Sequence, residues 1–453
     1  MTTFDLGIEG ATVVTARGRR RASVYVSGGR IAAVSGGRAP AREVVDAGGL
    51  LLLPGMVDTH VHLMDPAETE REDFPTGTAA AARAGVTTIV EHTHAGPVRR
   101  LEDLIEKREY LRDRSRVDFG LAAHAWPDMF EQVEPLWREG VTFFKAFTCT
   151  THGVPGLDDV RLRDLFERVA ALGAVCLVHS EDETLMAEAE RALRAAGRDD
   201  GGVIPEWRSR KAELTALERV TGIARETGAR VVLAHVSHRE ALDLVSRERA
   251  LGARVLAECC PQYLTLLEDE VREQGALRKF TPPARARTED DLREMWTALA
   301  DGTVHHVSTD HAPSTRAQKA SGSIWEAPFG LPGLDTTLPV LLDGAALGLL
   351  SYERVVEAYA EAPARAYGLF PRKGTIAVGS DADLVLVDPA EHWTVRDDDV
   401  ISKANWSPLE GRRLIGRAIR TYLRGTLVAS GGGAVAEPGV GEYLPGAGTA
   451  RDG

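Results

Sequence analysis

The middle of the chain alternates short apolar runs with amphipathic segments of helical periodicity. The apolar runs have the length of buried strands, and helical patterns follow most of them, as in LEDLIEKREYLRD at 101–113. The predicted strands are 51–59, 86–92, 117–123, 141–147, 174–179, 230–235, 254–258 and 304–309. Repeated β–α units of this number favour a closed barrel over an open sheet, so we predict an α/β fold with a TIM-type (β/α)8 barrel.

A second pattern occurs near both ends of the chain. Short strand-like segments with glycine turns fill the N-terminal part and return at 374–389 and 419–432. This spacing predicts a small β-sandwich domain built from both chain ends. The predicted boundaries are 1–53 and 372–432 for the sandwich, 54–371 for the barrel, and 433–453 for a Gly-rich C-terminal arm or disordered tail.

Composition narrows the possible partners and location. The chain has 453 residues, of which 43% are hydrophobic and 27% charged, as is usual for a globular protein. Its net charge of −13 argues against nucleic acid and anionic membranes as partners. The sequence has no apolar run long enough for a transmembrane helix, no secretory signal pattern, and no paired-cysteine spacing. We therefore expect a cytoplasmic protein.

Polar residues with metal-binding chemistry stand where the predicted strands end. In a parallel barrel, functional groups lie at the carboxyl ends of the strands. In PGMVDTHVHL, His60 and His62 are two residues apart and project from the same face of a strand, while Asp58 braces the turn. Four later strands contribute Lys145, His179, His235 and Asp310. Each alone could be an ordinary rim residue or a helix cap, but their convergence on one rim predicts a metal centre.

Lys145 is the unusual member of this set. It lies in the apolar strand FFKAF, where an ammonium group is costly to bury, so its pKa should fall. A neutral amine there could act as a base, as a Schiff-base nucleophile, or as a carbamate after reaction with carbon dioxide.

The chain resembles the cyclic amidohydrolases, the group that contains hydantoinases, dihydropyrimidinases, allantoinases and dihydroorotases. The similar motifs run in order through nearly the whole chain and include PGMVDTHVHL, GVTTIVE, FFKAF, VHSED, LAHVS, ECCPQYL, FTPPAR, STDHAP and RKGTIAVGSDADLVLVDP. The resemblance implies two divalent metal ions, zinc in the first place with manganese or cobalt as alternatives. It implies that His60 and His62 hold the inner ion, that His179 and His235 hold the outer ion, and that a carboxylated Lys145 bridges them.

The resemblance also implies a mechanism and an assembly. Asp310 would bind the inner ion, take a proton from the attacking water and deliver it to the departing ring nitrogen. Two cations about 3.5–4 Å apart would activate that water and polarise the carbonyl group of a small cyclic amide. Family members are often homodimers or homotetramers, so we expect one of these.

Departures from the family pattern rank the substrates. Dihydroorotases carry an arginine after the HxHL motif and a histidine after DHAP, where this chain has Met64 and Ser314. Many D-hydantoinases and dihydropyrimidinases carry a tyrosine where this chain has Thr150. We therefore expect a hydantoin-type ring first and allantoin second, followed by a dihydropyrimidine or cyclic imide and then dihydroorotate.

Several further residues are candidates for contact with the substrate. A second HxH motif, EHTHAGP, predicts that His92 or His94 lines the cavity, or alternatively that both are rim histidines exposed to water. The other candidates are Thr150, His152, Thr281 through its backbone, and Gly333, which could equally form a plain turn.

Two other functions use the same kind of barrel. A mononuclear deaminase usually has a glutamate three residues after the histidine of the fifth strand, where this chain has Asp182. A metal-free scaffold relative of dihydropyrimidinase loses metal ligands, whereas this chain keeps the full set.

Overall fold

The computed structural model describes residues 3–320 and 322–449. Its strands are β1 (Phe4–Thr15), β2 (Gly18–Ser27), β3 (Arg30–Ser35), β4 (Ala41–Asp46), β5 (Leu51–Pro54), β6 (Met56–Val61), β7 (Val86–Glu91), β8 (Asp118–Leu121), β9 (Ala123–His124), β10 (Phe144–Phe147), β11 (Val175–His179), β12 (Arg230–Leu233), β13 (Val255–Cys259), β14 (His306–Val307), β15 (Leu384–Thr394), β16 (Arg413–Leu423), β17 (Thr426–Ser430) and β18 (Gly433–Ala434).

Helices alternate with the strands from β6 onward. They are α1 (Phe74–Arg83), α2 (Leu101–Leu111), α3 (Val133–Glu139), α4 (Asp159–Ala171), α5 (Glu183–Ala195), α6 (Val203–Trp207), α7 (Arg210–Thr227), α8 (Arg239–Ala250), α9 (Gln262–Thr265), α10 (Glu268–Gln274), α11 (Glu289–Ala300), α12 (Arg316–Ala320), α13 (Thr337–Ala346), α14 (Tyr352–Val356) and α15 (Ala362–Ala366). A π-helical turn at Glu357–Glu361 joins α14 to α15.

The parallel strands from β6 to β14 close into a barrel. Strands β6, β7 and β8 pair in that order, and β9 to β14 pair in sequence, with only Ala122 between β8 and β9. A parallel bridge between Val61 and His311 connects β6 to the segment after β14, and the His62 amide donates to the His311 carbonyl at 2.8 Å. The predicted TIM-type barrel is confirmed.

The two chain ends form one sheet beside the barrel. Its strands pair in the order β18–β17–β16–β15–β5–β1–β2–β3, and β4 pairs with β1. The first half of β1 pairs with β4 and its second half with β5, so the sheet bends around an apolar cluster of its own that includes Ile8, Val24 and Leu384. The predicted small β domain built from both chain ends is confirmed. Its strands form one continuous sheet, because β5 pairs with both β1 and β15.

The apolar run 51–59 is divided between the two parts of the molecule. Residues before Gly55 pair with β15 in the terminal sheet, and residues after it pair with β7 in the barrel. A Cβ atom at Gly55 would lie 2.0 Å from Thr87 Oγ1, so this crossing point requires glycine. The expectation of a single strand was wrong because apolar composition does not reveal where a strand changes its pairing partner.

The C-terminal segment packs against the barrel as far as residue 449. The Gly439 amide donates to Ser115 at 2.8 Å, and the Leu444 amide donates to Phe119 at 2.7 Å. Leu444 is buried. Residues 450–453, which belong to the predicted arm or tail, lie outside the described residues.

Across residues 3–320 and 322–449, no helix is both long enough and apolar enough to cross a membrane.

Candidate active site and metal centre

The inner part of the site is formed by His60 and His62 at the carboxyl end of β6. The Nδ1 atom of His60 lies 2.7 Å from Glu258 Oε1, and the Nδ1 atom of His62 lies 3.1 Å from the His92 carbonyl oxygen. Because both partners accept hydrogen bonds, the ring protons lie on Nδ1 and the Nε2 lone pairs point into the cavity. Burial lowers the pKa of both rings, which keeps them neutral and able to bind a metal.

Asp310 and Lys145 complete the inner group. Asp310 Oδ1 lies 3.3 Å from His60 Nε2 and 3.4 Å from His62 Nε2, and Lys145 Nζ lies 3.4 Å from His60 Nε2. Ligands of a tetrahedral zinc ion with bonds of about 2.0–2.1 Å are separated by about 3.3–3.4 Å. The spacing of Asp310 Oδ1 from the two histidines therefore fits one shared cation, and the amine of Lys145 lies beside this group.

His179 and His235 form a second pair at the ends of β11 and β12. His179 Nε2 donates to Glu181 Oε2 at 2.8 Å, which directs its Nδ1 atom toward His235 Nε2 at 2.9 Å. These two nitrogens can share either a proton or a cation. The pKa of His235 is well below its usual value because of burial and the neighbouring His179, so a neutral ring with a free lone pair is favoured.

Both groups open into one cavity of about 320 Å3 at the carboxyl end of the barrel. All six residues predicted as metal ligands line this cavity: His60, His62, Lys145, His179, His235 and Asp310. The histidines at the ends of β6, β11 and β12 and the buried Lys145 therefore line one cavity that a small molecule can enter.

Comparisons with known proteins agree with this geometry. Residues 51–409 match the amidohydrolase family. The chain is 32% identical to the L-hydantoinase of Paenarthrobacter aurescens, over 97% of this chain and 98% of that protein. It is 37% identical to the allantoinase of Rubrobacter xylanophilus, over 97% of each chain.

The chain belongs to the amidohydrolase family. The solved L-hydantoinase (dihydropyrimidinase) of Arthrobacter aurescens superimposes on this amidohydrolase with a TM-score of 0.94 and 31% identity, covering 98% of this chain and 100% of that one. The resemblance to the cyclic amidohydrolases that the motifs indicated is confirmed, and with it the prediction of an enzyme.

The predicted substrate contacts have different positions in this amidohydrolase. His152 and Thr281 line the cavity. Thr150 is exposed beside the cavity wall, where its amide donates to Glu183. Gly333 is buried in a turn, and its amide donates to His311 Nδ1 at 3.1 Å. Gly333 does not line the cavity, whereas Gly330 does.

The second HxH motif divides between two environments. His94 lines the cavity, with its ring 4.3 Å from His62 and stacked 4.5 Å from His152. His92 is buried behind His60 and His62, because the chain leaves β7 at Glu91 and strand alternation no longer sets the direction of these two side chains. The alternative of two water-exposed rim histidines was wrong for His92.

Two cationic side chains line the cavity, although Met64 occupies the position at which an arginine was expected of a dihydroorotase. Arg71, from the loop after β6, pairs with Glu68 at 2.6 Å and donates to Ser314 Oγ at 3.1 Å. Lys279 donates to the carbonyl oxygens of two residues in the loop that closes the cavity, and burial lowers its pKa to about 8. Sequence reasoning missed both, because neither lies at a predicted strand end.

A buried carboxylate supports each group of imidazoles. Glu258 accepts from His60 Nδ1 and, at 3.2 Å, from the His235 amide, so it touches both groups. Glu181 accepts from His179, from Arg208 at 2.7 Å and from Thr281 Oγ1 at 2.6 Å. The acidic residues in ECCPQYL and VHSED were the available sequence signals, since each lies at or just beyond a strand end.

Proposed function

We propose that this amidohydrolase uses two divalent metal ions to hydrolyse the C–N bond of a cyclic amide, with a hydantoin-type ring as the first substrate class. The observation that carries the proposal is the convergence of His60, His62, Lys145, His179, His235 and Asp310 on one cavity. Full-length similarity to an L-hydantoinase supports the choice of ring.

The donor chemistry fits two cations. His60, His62 and Asp310 would hold the inner ion, His179 and His235 the outer ion, and a carboxylated Lys145 both. Neutral imidazoles with one carboxylate suit zinc, with manganese or cobalt as alternatives. When bound, such ions lower the pKa of a water molecule and polarise a carbonyl group.

Asp310 is the proton carrier in this proposal. Its side chain is directed at both inner histidines, and burial raises the pKa of its carboxyl group. A carboxylate with a raised pKa can accept a proton from the attacking water and then donate it to the ring nitrogen as the C–N bond breaks. The proton returns to the product, so Asp310 ends as it began.

The remaining wall would orient the ring. Phe147, Phe329 and Met64 provide apolar surface, while His152 and Thr281 provide polar atoms beside the outer histidines. Burial between aromatic faces excludes water from a bound ring, and the polar atoms fix its orientation. Thr281 is anchored to Glu181, so a ring held by its backbone would be fixed relative to His179.

Allantoin is the second candidate, because the cavity also has a polar wall. Glu68, Arg71 and Glu326 line it, and a ureido side chain offers both donors and acceptors to such groups. Similarity to an allantoinase supports this candidate as well. A dihydropyrimidine or cyclic imide follows, and dihydroorotate is last.

A ring-opening assay on the metal-loaded protein tests the proposal. The panel contains hydantoins of both hands, allantoin, dihydrouracil, a cyclic imide and dihydroorotate, with metal content measured on the same sample. Two ions per chain and turnover of a neutral ring are expected. One ion per chain would favour a mononuclear deaminase, none a scaffold, and a fully loaded protein that opens no ring would overturn the proposal.

We also infer from the resemblance a cytoplasmic homodimer or homotetramer. Light scattering coupled to size exclusion tests the assembly, since a monomer at micromolar concentration would contradict it. Fractionation of the native cells tests the location.

A further inference from the structure

Lys279 is a cationic residue of the cavity wall that the proposed mechanism does not use. It lies two residues before Thr281 in the segment KFTPPAR and is 1% exposed. Among residues 3–320 and 322–449 it forms no ion pair with a carboxylate, and its side chain donates to backbone carbonyl oxygens instead. A buried ammonium group without a counter-ion costs free energy that an apolar side chain of similar length would not.

The ammonium group of Lys279 has one N–H bond more than its acceptors use. Its Nζ atom donates to the carbonyl oxygens of Ile324 at 2.6 Å and Trp325 at 3.0 Å. The third N–H bond has no acceptor among the residues that the structure describes, although ring centres of Phe329 and Trp207 lie 4.3 Å and 5.9 Å away. Aromatic faces stabilise a cation but do not neutralise its charge. Lys279 therefore keeps both a positive charge and a donor for a further partner.

The other charged side chains of the wall, outside the proposed metal centre, do not compensate Lys279. Arg71 pairs with Glu68 at 2.6 Å, so this arginine already has its counter-ion. Glu326 is exposed, and its carboxylate accepts from the Ser323 amide at 3.2 Å. The positive charge of Lys279 is thus the one that a bound anion could neutralise.

The electrostatic surroundings of Lys279 are positive. Burial, followed by the neighbouring Arg208 and Arg194, lowers the pKa of its amine to about 8. An anion bound beside the amine would act in the opposite direction and stabilise the ammonium form. Arg208 already pairs with Glu181 at 2.7 Å, which leaves Lys279 as the partner for such an anion.

We propose that Lys279 is a specificity-determining residue that binds a carboxylate carried on a substituent of the cyclic amide. The inference rests on the proposed function and deepens it, because it names the substrate class as a hydantoin-type ring with an acidic side chain. The backbone of Thr281 would hold the ring, so a group that reaches Lys279 is joined to the ring by a short chain. Phe329 offers apolar surface to the methylene groups of that chain.

The first measurement is binding to the metal-free protein, in which no ring is opened. Calorimetry at pH 7, where the ammonium form of Lys279 predominates, compares 5-(2-carboxyethyl)hydantoin with 5-(2-carbamoylethyl)hydantoin. The two compounds have nearly the same shape and differ in charge. We expect the acid to bind about 10–100-fold more tightly than the amide, as a hydrogen bond between charged groups requires.

The second measurement repeats this comparison with variants. Lys279→Met removes the charge and should bind the acid and the amide with similar affinities, whereas Lys279→Arg should keep part of the preference. Lys319→Met is the matched control, because Lys319 is also buried and also donates to two carbonyl oxygens, those of Lys279 at 2.9 Å and Pro328 at 2.7 Å, but does not line the cavity. Lys319→Met should keep the preference for the acid.

Two results would overturn the inference: equal affinities of the unaltered protein for acid and amide, or a preference for the acid that survives in Lys279→Met. Thermal melting identifies a folding defect, and Lys279→Gln, which can still donate to a carbonyl oxygen, replaces Lys279→Met if that variant does not fold. A metal-loaded protein that opens unsubstituted hydantoin would leave the proposed function intact in either case, whereas one that opens no ring would overturn the proposed function.

Discussion

Lys145 has a primary amine surrounded by imidazole and phenylalanine rings. Its Nζ atom lies 3.4 Å from His60 Nε2 and 5.2 Å from the centre of the Phe147 ring. Burial lowers the pKa of this amine to about 8, so a sizeable neutral fraction exists near neutral pH. A neutral amine adds to carbon dioxide and loses a proton, which converts a cation into an anionic ligand.

Replacement of Lys145 by alanine should remove both metal ions and ring-opening activity, because the bridging group is lost. Elemental analysis after metal loading, together with the ring-opening assay, measures the outcome. Lys211→Ala is the control, since Lys211 is exposed at the start of α7 and should retain two ions. An active, fully loaded Lys145→Ala enzyme would contradict the proposed centre.

Glu258 acts through the histidines that it holds. Glu258→Gln keeps the shape but weakens the bond to His60 Nδ1, so metal affinity should fall by about 10–100-fold. Competition with a chelator of known affinity measures the change. Glu213→Gln is a matched control, because Glu213 is equally buried but contacts Ser237 and His238; an equal loss in both variants would point to general destabilisation.

At the scale of helices, strands and loops, the main contribution to the site is the positioning of the side chains that line the cavity. Residues 325–330, which precede α13, border the cavity and include Phe329. The Arg208 guanidinium lies 4.9 Å from the centre of the Phe329 ring while it pairs with Glu181 beneath His179. This arginine therefore links the cavity wall to the carboxylate that holds His179, a proposed ligand of the outer ion.

Shortening Phe329 should affect substituted rings more than bare ones. Phe329→Ala removes apolar wall, so KM for an aryl-substituted hydantoin should rise by about tenfold, while KM for unsubstituted hydantoin should change little. Phe4→Ala, in the distant terminal sheet, provides the comparison. Equal changes for both rings would show that Phe329 does not contact the substituent.

The crossing from terminal sheet to barrel has a steric requirement. Gly55→Ala would press a Cβ atom into the buried Thr87, so unfolding free energy should fall by about 1–3 kcal/mol. Denaturant titration measures it. Gly36→Ala, where the added atom meets nothing within 4 Å, should be nearly neutral, and similar losses in both variants would refute the steric explanation.

At the scale of the whole molecule, a buried charge cluster ties the terminal sheet to the barrel. Lys373 Nζ lies 2.5 Å from Asp118 in β8 and 2.7 Å from Asp383 just before β15. Asp381, at 3.0 Å, completes the cluster. All these side chains are buried, and Asp383 depends on the ammonium group for charge compensation, whereas Asp118 also pairs with Arg424 and Asp381 with Arg372.

Removal of the Lys373 ammonium group should destabilise the contact between the terminal sheet and the barrel. Lys373→Met leaves the buried Asp383 without an ion-pair partner, while Asp118 keeps Arg424 and Asp381 keeps Arg372, and it should lower the unfolding free energy at pH 7 by about 3–5 kcal/mol. Arg372→Met, which removes a partly exposed partner of Asp381, should cost about 0–1 kcal/mol. Equal denaturation midpoints for the wild type and Lys373→Met would argue that the charge cluster does not stabilise the contact between the terminal sheet and the barrel.

The pH dependence of this cluster follows from the shifted pKa values. The carboxylates raise the pKa of Lys373, so its stabilising effect is present below about pH 10.4 and is lost as pH rises through the folded-state value. Lys373 lowers the pKa of Asp381, so that contribution is present above about pH 3.9 and is lost as pH falls. The difference between wild type and Lys373→Met should therefore shrink at both extremes.

The sequence alone determined the barrel and the positions of the candidate ligands. Apolar runs specify buried strands locally, and the alternation of side chains fixes which residues leave a strand end together, as with His60 and His62. The resemblance of the motifs to those of the cyclic amidohydrolases then assigned these residues to two proposed metal-binding groups.

Only the tertiary structure decided which residues from distant parts of the chain contact the candidate ligands. Glu258, Arg208 and Arg71 act on residues far away along the chain, and no local pattern encodes such pairings. The division of the run 51–59 at Gly55 and the burial of His92 behind the inner histidines also depend on which neighbours close the barrel. Periodicity gives the direction of a side chain, whereas its partners are set by the packing of distant elements.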